Sequence, residues 1–434
     1  MTCNPSLVID LAMNYSKKIL ANGLTVIEVP SHDAESVVVD FFVKTGSRSE
    51  TLKENGISHF LEHFLFKGTK KYPSAMAISS LVDSIGGEMN ANTGKEHTQY
   101  YIKAASKHLA LIFEILTDMV QHPLLDAKEL EREKGVIVEE INMYKDAPMY
   151  EIENVLEQAM WPKDTLGRDI AGTKETVNKF TREMFINYIN RHYQTSNMIL
   201  GISGRYRQQE FDDLVSKHWS KQPKKRFYGW DKAKDRQTAH RAKIEFKETQ
   251  QAHLALGFKG LAYGDKRTAA QSVLSAILGG GMSSRLFTEV REKRGLAYYV
   301  RASGSAYQDT GAFSIGSGVQ VAKIEEALKV ILQELKKIKT ELVEHKELLK
   351  AKEYIKGKSV LALEDNQVRL DWFLERAAFY PIIQIPIEVF KKIDAVTAEE
   401  VRQVAKELFN GKKMTLAVIG PYKSDKNFKK ILHV

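Results

Sequence analysis

Among 434 residues there is a single cysteine, Cys3. One thiol cannot build a disulfide framework or a thiolate metal cluster within a chain, so any metal has to be held by imidazole and carboxylate. Long apolar runs are missing as well. No stretch approaches the roughly 18 uninterrupted apolar residues of a membrane-spanning helix. The opening residues, MTCNPSLVIDLAMNYSKKILANG, have neither the basic start and apolar block of a secretory signal nor the Arg-rich, acid-free character of an organelle presequence. The expectation is a cytoplasmic protein with no membrane partner. A strong excess of one charge is absent too: 64 Lys and Arg against 55 Asp and Glu leave a net charge of +9, scattered along the chain, which is weak ground for a polyanionic partner.

What is present is a globular composition, 43% hydrophobic and 27% charged, in a chain longer than one core usually serves. The densest basic run, KQPKKRFYGWDKAKDRQTAHRAK at 221–243, interleaves Phe227, Tyr228 and Trp230 with cations. Such a strip suits a nucleic-acid surface. No nucleic-acid-binding signature flanks it, however, and a solvated linker needs only its polarity. We therefore expect no nucleic-acid partner, and domains at 1–220 and 243–434 joined by a linker at 221–242.

Each half repeats one plan. The first reads as a strand pair, LTVIEVP and SVVVDFFVKTG, a helix through HFLEH, a glycine break, a strand pair ending in HTQYYIKA, and a helix from about Leu109 to Gln121. The second offers KIEFKE and QAHLALGFKG, the helix RTAAQSVLSAIL, the break GGG, strands LAYYVRASGSA and GAFSIGSGV, and the helix KIEEALKVILQELKKI. Gly46 and Gly260 close corresponding strands, an offset of 260 minus 46, or 214. The pattern predicts an α+β fold of two homologous domains, each an antiparallel sheet with helices packed mainly on one face.

Within ISHFLEHFLFKG, Ile57, Phe60, Leu61, Phe64 and Leu65 follow the helical i, i+3, i+4 rule and form a core stripe, with His59, Glu62 and His63 beside it. Histidines four apart on a helix can reach one ion, and the intervening Glu62 lies close enough to touch a water there. The string H-x-x-E-H inverts the zincin order, in which two His bind zinc and the Glu is a general base. Two satisfied, partly buried histidines are the plainer alternative. At the offset of 214 the trio falls opposite Val273, Ala276 and Ile277, so the second half lacks it.

A catalytic zinc takes a third protein ligand. DAKELEREKGVIVEEINMY, 126–144, starts like a capped helix at Asp126 and Glu129 and places Glu133, Val136, Ile137 and Glu140 on one face, with Glu139 on another. Carboxylates in an apolar stripe require charged partners, and a metal with its histidines is such a partner. An ordinary charged surface helix has the same spacing. Gly135 in mid-helix is tolerable if it permits close approach of another helix.

With these motifs the chain resembles the pitrilysin and insulin-degrading family of metallopeptidases, nearest to its branch of roughly half-length subunits that includes the mitochondrial processing peptidases. The family pattern is H-x-x-E-H followed by a downstream glutamate; Glu140 lies 140 minus 63, or 77, residues beyond His63. The resemblance implies that His59, His63 and Glu140 hold one zinc per chain, that Glu62 is the base, and that Glu133 supports the site. It extends to GGEMNANTGKEHTQYY (86–101), LGRDIAGTKETV (166–177), SNMILGISG (196–204) and GGGMSSRLFTEVREKRGLAYYV (279–300). In the last of these, Arg291 and Tyr298 occupy the family's substrate-binding and transition-state positions. Asp164 and Thr165, and Thr195 and Ser196, depart from the family pattern without touching the expected chemistry.

The resemblance further implies a zinc endopeptidase for peptides or unfolded polypeptide. Substrate would add to the strand edge around Asn90, Ala91 and Asn92. Two chains would close around a chamber as a homodimer, with Arg291 and Tyr298 of one serving the zinc of the other. The rival within the same fold is a non-catalytic scaffold like the core subunits of a respiratory complex.

Overall fold

The computed structural model describes residues 13–223, 229–234 and 237–432. It separates into two compact units. Unit 1 comprises Met1–Ile141, Asp169–Asp231 and Ala362–Pro386; unit 2 comprises Asn142–Arg168, Lys232–Leu361 and Ile387–Val434.

Unit 1 is built on six strands: β1 (Ser16–Ile19), β2 (Thr25–Pro30), β3 (Ser36–Val43), β4 (Glu88–Thr93), β5 (Thr98–Ala105) and β6 (Met198–Gly204), ordered β1-β2-β6-β3-β5-β4. Unit 2 has five: β7 (Arg241–Phe246), β8 (Gln251–Gly260), β9 (Ala297–Ala306), β10 (Gly311–Gln320) and β11 (Thr415–Gly420), ordered β7-β11-β8-β10-β9. Two sheet-plus-helix bodies is the α+β class expected, with one correction. β2 and β3 are not paired with each other, nor are β7 and β8. β6 enters between the first two, parallel to β2, and β11 enters between the second two, parallel to β7. The sheets are therefore mixed. Parallel neighbours require a long crossover, and the alternation of apolar residues along one strand does not say which distant strand lies beside it.

Alternation on β3 sets the layers. Val37, Val39, Phe41 and Val43 face the larger core, beneath helices Ile57–Leu65, Leu109–Gln121, Arg182–His192 and Gln208–Trp219. Val38 and Phe42 face the other way, toward Leu370, Phe373 and Leu374 of helix Asn366–Phe379. Asp40 shares that second face and is fully buried. Its carboxylate accepts the side-chain amides of Gln99 (3.2 Å) and Gln367 (2.9 Å), which offset the cost of burial.

The contiguous division 1–220 and 243–434 needs correction. Helix Asn366–Phe379, from the second half of the sequence, covers the outer face of the unit 1 sheet. Helix Pro148–Met160, from the first half, covers the outer face of the unit 2 sheet through Ile152, Val155, Leu156 and Met160. At the offset of 214 these two helices are near counterparts, so the units exchange an equivalent element. An amphipathic helix pattern shows that a face must be buried and leaves open which sheet buries it.

Part of the basic run 221–243, including Phe227 and Tyr228, lies outside the described residues. Trp230 is described: the buried Arg48 guanidinium lies 3.7 Å from its ring centroid and donates to the Asp231 carbonyl at 3.3 Å. That ring is engaged by its own chain rather than offered to a base.

Candidate active site

The helix carrying HFLEH, Ile57–Leu65, begins at Gly56, whose φ of 97° is a left-handed conformation that glycine tolerates; a Cβ there would also come within 2.6 Å of the Ala171 carbonyl oxygen. Its free N–H groups are held by Glu50, which accepts from Gly56 N at 2.8 Å and Ser58 N at 2.9 Å. Burial pushes the Glu50 carboxyl up to about 7, against the pull of those donors. Ile57, Phe60, Leu61, Phe64 and Leu65 are buried, and Ser58 is tied to Tyr188 by a hydroxyl pair at 2.7 Å. This stripe orients the helix so that His59, Glu62 and His63 stand only partly covered.

Helix Ala127–Asp146 supplies the carboxylates. Asp126 caps it, accepting from Lys128 N and Glu129 N at 2.8 and 3.1 Å, and Leu130, Ile137 and Ile141 seat it in the core. Glu133 and Glu140 then face the histidines, while Glu139 is exposed. Gly135 does not serve a close helix approach: a Cβ built there meets nothing within 4 Å.

Glu140 Oε1 lies 3.6 Å from His59 Nε2, and Glu140 Oε2 lies 3.5 Å from His63 Nε2. One ligand atom from each of His59, His63 and Glu140 fits within 4.8 Å of the others. Neighbouring ligand atoms around a tetrahedral zinc are separated by about 3.4 Å, given bonds of about 2.0–2.2 Å. Spacing and donor types both fit that ion. His59 Nδ1 and Glu62 Oε2 are buried without a hydrogen-bond partner, and a carboxylate oxygen so placed is positioned to accept from a water or substrate.

The electrostatics agree with the geometry. Burial alone would lower the His59 pKa; the Glu140 carboxylate, with the charges of Glu62 and Asp169, outweighs it and raises it. The His59 ring beside it, and then the charge of His63, hold Glu140 below the usual carboxylate range despite partial burial. Burial would raise Glu133, but His63 and Lys67 outweigh it and lower it. Glu133 Oε1 accepts from His63 Nδ1 at 2.9 Å and Oε2 pairs with Lys67 Nζ at 2.6 Å. A ring whose Nδ1–H is spoken for presents the Nε2 lone pair.

Asn90, Ala91 and Asn92 lie on β4, the edge strand of the unit 1 sheet, bonded only to β5 on one side and packed by the HFLEH helix. Asn90 and Asn92 are exposed, and Ala91 is half-buried.

In unit 2, Arg291 belongs to a six-residue π-helical turn, Phe287–Glu292, and Tyr298 is the second residue of edge strand β9, 70% exposed. The Arg291 guanidinium sits 4.8 Å from the Phe287 ring centroid and 5.5 Å from that of Tyr298. The two side chains are thus brought together and turned outward. The segment is fixed from below: Arg285 makes a two-pronged pair with Glu347 at 2.8 and 2.7 Å, and the Tyr354 ring packs on Gly280 and Gly281.

Sequence reasoning missed Glu50 and Lys67. Lys67 lies four residues after His63, a spacing that flags a shared partner; nothing local marks Glu50, which reaches the helix start across a turn.

The comparisons with known proteins point to a metallopeptidase. The description Insulinase (Peptidase family M16) matches residues 25–174, and Peptidase M16 inactive domain matches residues 179–355. A zinc protease of Bacillus subtilis, YmxG, is 36% identical over 92% of this chain and 97% of its own; one from Streptomyces coelicolor is 33% identical over 93% and 89%. The chain belongs to peptidase family M16, the pitrilysin family, as a half-size member and a metallopeptidase. Its fold is shared with a Helicobacter pylori protease, at a TM-score of 0.89 and 24% identity over 94% of this chain and all of that one. It is shared also with a Peptidase M16 inactive domain from Pseudomonas fluorescens, at 0.85 and 18% over 95% and 99%.

Proposed function

We propose that this chain is a zinc-dependent endopeptidase for peptides or unfolded polypeptide segments, with His59, His63 and Glu140 holding one zinc per chain and Glu62 as general base. The observation that carries the reading is the convergence of the three ligand atoms within 4.8 Å beside a buried, unpartnered Glu62 oxygen. When bound, zinc supplies Lewis acidity, bringing the pKa of a water toward neutrality and polarising a peptide carbonyl. Glu62 Oε2 takes a proton from the attacking water and returns it to the leaving amine. His63 is kept in register by Glu133.

Substrate adds as a strand along Asn90–Asn92 of β4, where main-chain bonds give affinity with little regard to sequence. Arg291 and Tyr298 offer a cation and a hydroxyl to the developing oxyanion. We assign that service to a second copy of the chain, so that a homodimer encloses a chamber with each Arg291 and Tyr298 facing the other copy's metal. Support comes from the division of labour between homologous units: at the offset of 214 the counterparts of Arg291 and Tyr298 in unit 1 are Ala77 and Ser84. The scaffold reading is disfavoured because the inactive-domain match covers only 179–355 and the whole metal constellation lies outside it.

Glu62→Gln tests the mechanism. The variant should retain about one zinc per chain while cleavage of a quenched peptide falls about 10²- to 10⁴-fold; parental turnover in the variant sinks the assignment. Mixing His59→Ala with Arg291→Ala chains tests the dimer. Mixed dimers should regain one complete site, and no recovery despite demonstrated subunit exchange refutes the sharing.

A further inference from the structure

Lys67 stands one residue beyond the cap of the HFLEH helix and is not a metal ligand, yet it touches the group that steers one. Its backbone is fixed by the closing turn, with Lys67 N donating to the Phe64 carbonyl at 3.1 Å and Phe66 N to that of His63 at 3.2 Å. From there Nζ reaches Glu133 Oε2 at 2.6 Å, while the other oxygen of the same carboxylate takes His63 Nδ1 at 2.9 Å. The Glu133 side chain is 2% exposed, so these two partners stand in place of solvent for its oxygens.

We infer that Lys67 is a positioning residue of the metal centre, acting through Glu133 to hold the His63 ring with Nε2 toward the ion. The inference rests on the reading of His59, His63 and Glu140 as ligands. A carboxylate held at one oxygen only can rotate about its last bond; held at both, its plane is set and the imidazole it accepts from is set with it. Removing the ammonium leaves a buried anionic oxygen without a partner, a costly arrangement that is relieved by turning Glu133 away from His63.

The second unit offers a contrast. At the offset of 214, Glu133 corresponds to Glu347, and there the partner is Arg285, whose guanidinium occupies both oxygens, Nε on Oε1 and Nη2 on Oε2. A two-pronged partner engages both oxygens, so an imidazole there would have to share an oxygen already bonded. An ammonium is a point donor and occupies one, leaving Oε1 to the histidine. The one-to-one sharing of Glu133 between Lys67 and His63 leaves Oε1 to the imidazole alone.

The test reads zinc affinity of the full-length protein by competition with a chromophoric chelator, independent of turnover. Lys67→Met should weaken zinc binding about tenfold or more, within the 10- to 100-fold span of outer-sphere changes. Glu133→Gln should weaken it comparably. If Lys67 works through Glu133, adding Lys67→Met to Glu133→Gln should cost nothing more. Lys67→Arg, which keeps the charge, should fold as the parent does and still bind zinc more weakly, because its fork competes for Oε1. Parental affinity in both folded Lys67 variants, or independent losses that multiply in the double variant, overturns the inference. Failure of the parent itself to bind zinc would instead overturn the proposed function.

Discussion

Compare the helix that follows the long second strand in each unit. In unit 1 it is Ile57–Leu65, with His59, Glu62 and His63 partly open; in unit 2 it is Thr268–Gly279, where the offset of 214 places Val273, Ala276 and Ile277, and Val273 and Ile277 are buried to 0% and 2% exposure. The later long helices diverge in the same way. Glu133 and Glu140 of Ala127–Asp146 correspond to Glu347 and Tyr354 of His345–Ala362, the first locked to Arg285 and the second laid on glycines. In the other direction, unit 2 has Arg291 and Tyr298 where unit 1 has Ala77 and Ser84. Of the residues that seat the first helix, Phe60 and Phe64 correspond to Leu274 and Leu278, whereas Ile57, Leu61 and Leu65 correspond to Gln271, Ser275 and Gly279. The helix has thus been turned over to packing in unit 2, with Val273 and Ile277 in the core where unit 1 carries His59 and His63. One architecture therefore carries a His-His-Glu cluster in one unit and a neighbouring Arg-Tyr pair in the other.

Paired substitutions test that comparison at equivalent positions. His63→Ala should abolish stoichiometric zinc and peptide cleavage while costing less stability in urea than truncation of its core counterpart, both measured on metal-free protein. Ile277→Ala, its counterpart, should cost about 2–5 kcal/mol of stability, as core truncations do, with zinc content at the parental level. If Ile277→Ala also empties the metal site, or His63→Ala costs as much stability as Ile277→Ala, the division between chemistry and packing is wrong.

The start of the metal helix gives the next largest effect. Glu50 has no acidic counterpart in unit 2, where the offset leads to Gly264. Burial raises its folded pKa to about 7 from 4.5, so the folded state binds more protons than the unfolded between those values. The stability this group contributes is full below about pH 4.5, declines as pH rises through 7, and is flat above. The decline amounts to about 3 kcal/mol at most. Glu50→Gln should remove it, so that variant minus parent stability in urea climbs between pH 4.5 and 7. A pH-independent difference contradicts the assignment.

The smallest effect is expected at Gly135. It is exposed in the interior of the helix that carries Glu133 and Glu140, with open space where a Cβ would go. Gly135→Ala should raise stability by about 1 kcal/mol with zinc affinity unchanged. A loss of stability would show that the glycine is required by a contact the chain makes elsewhere, such as with a second copy.

Much of this was legible before any coordinates. Periodicity placed Phe60, Leu61, Phe64 and Leu65 in the core and the histidines beside them, and the spacing of Glu133 and Glu140 put both carboxylates on one helix face. The strands LTVIEVP and SVVVDFFV were recognisable, yet their pairing was not, because β6 and β11 arrive from far along the chain. The exchanged helices Pro148–Met160 and Asn366–Phe379 were likewise invisible as exchanges, since their patterns specify a buried stripe and not an address.

By itself, then, the sequence determined the residue types able to bind a metal, the helices that carry them, the duplication, and the asymmetry between its halves, because these are properties of local spacing and composition. Tertiary structure decided which oxygen of Glu133 meets His63 and which meets Lys67, that Glu140 comes within reach of both imidazoles, and that Glu50 holds the helix start. Those are relations between side chains brought together from separate segments, and distances of about 3 Å between such groups are set by how whole elements pack.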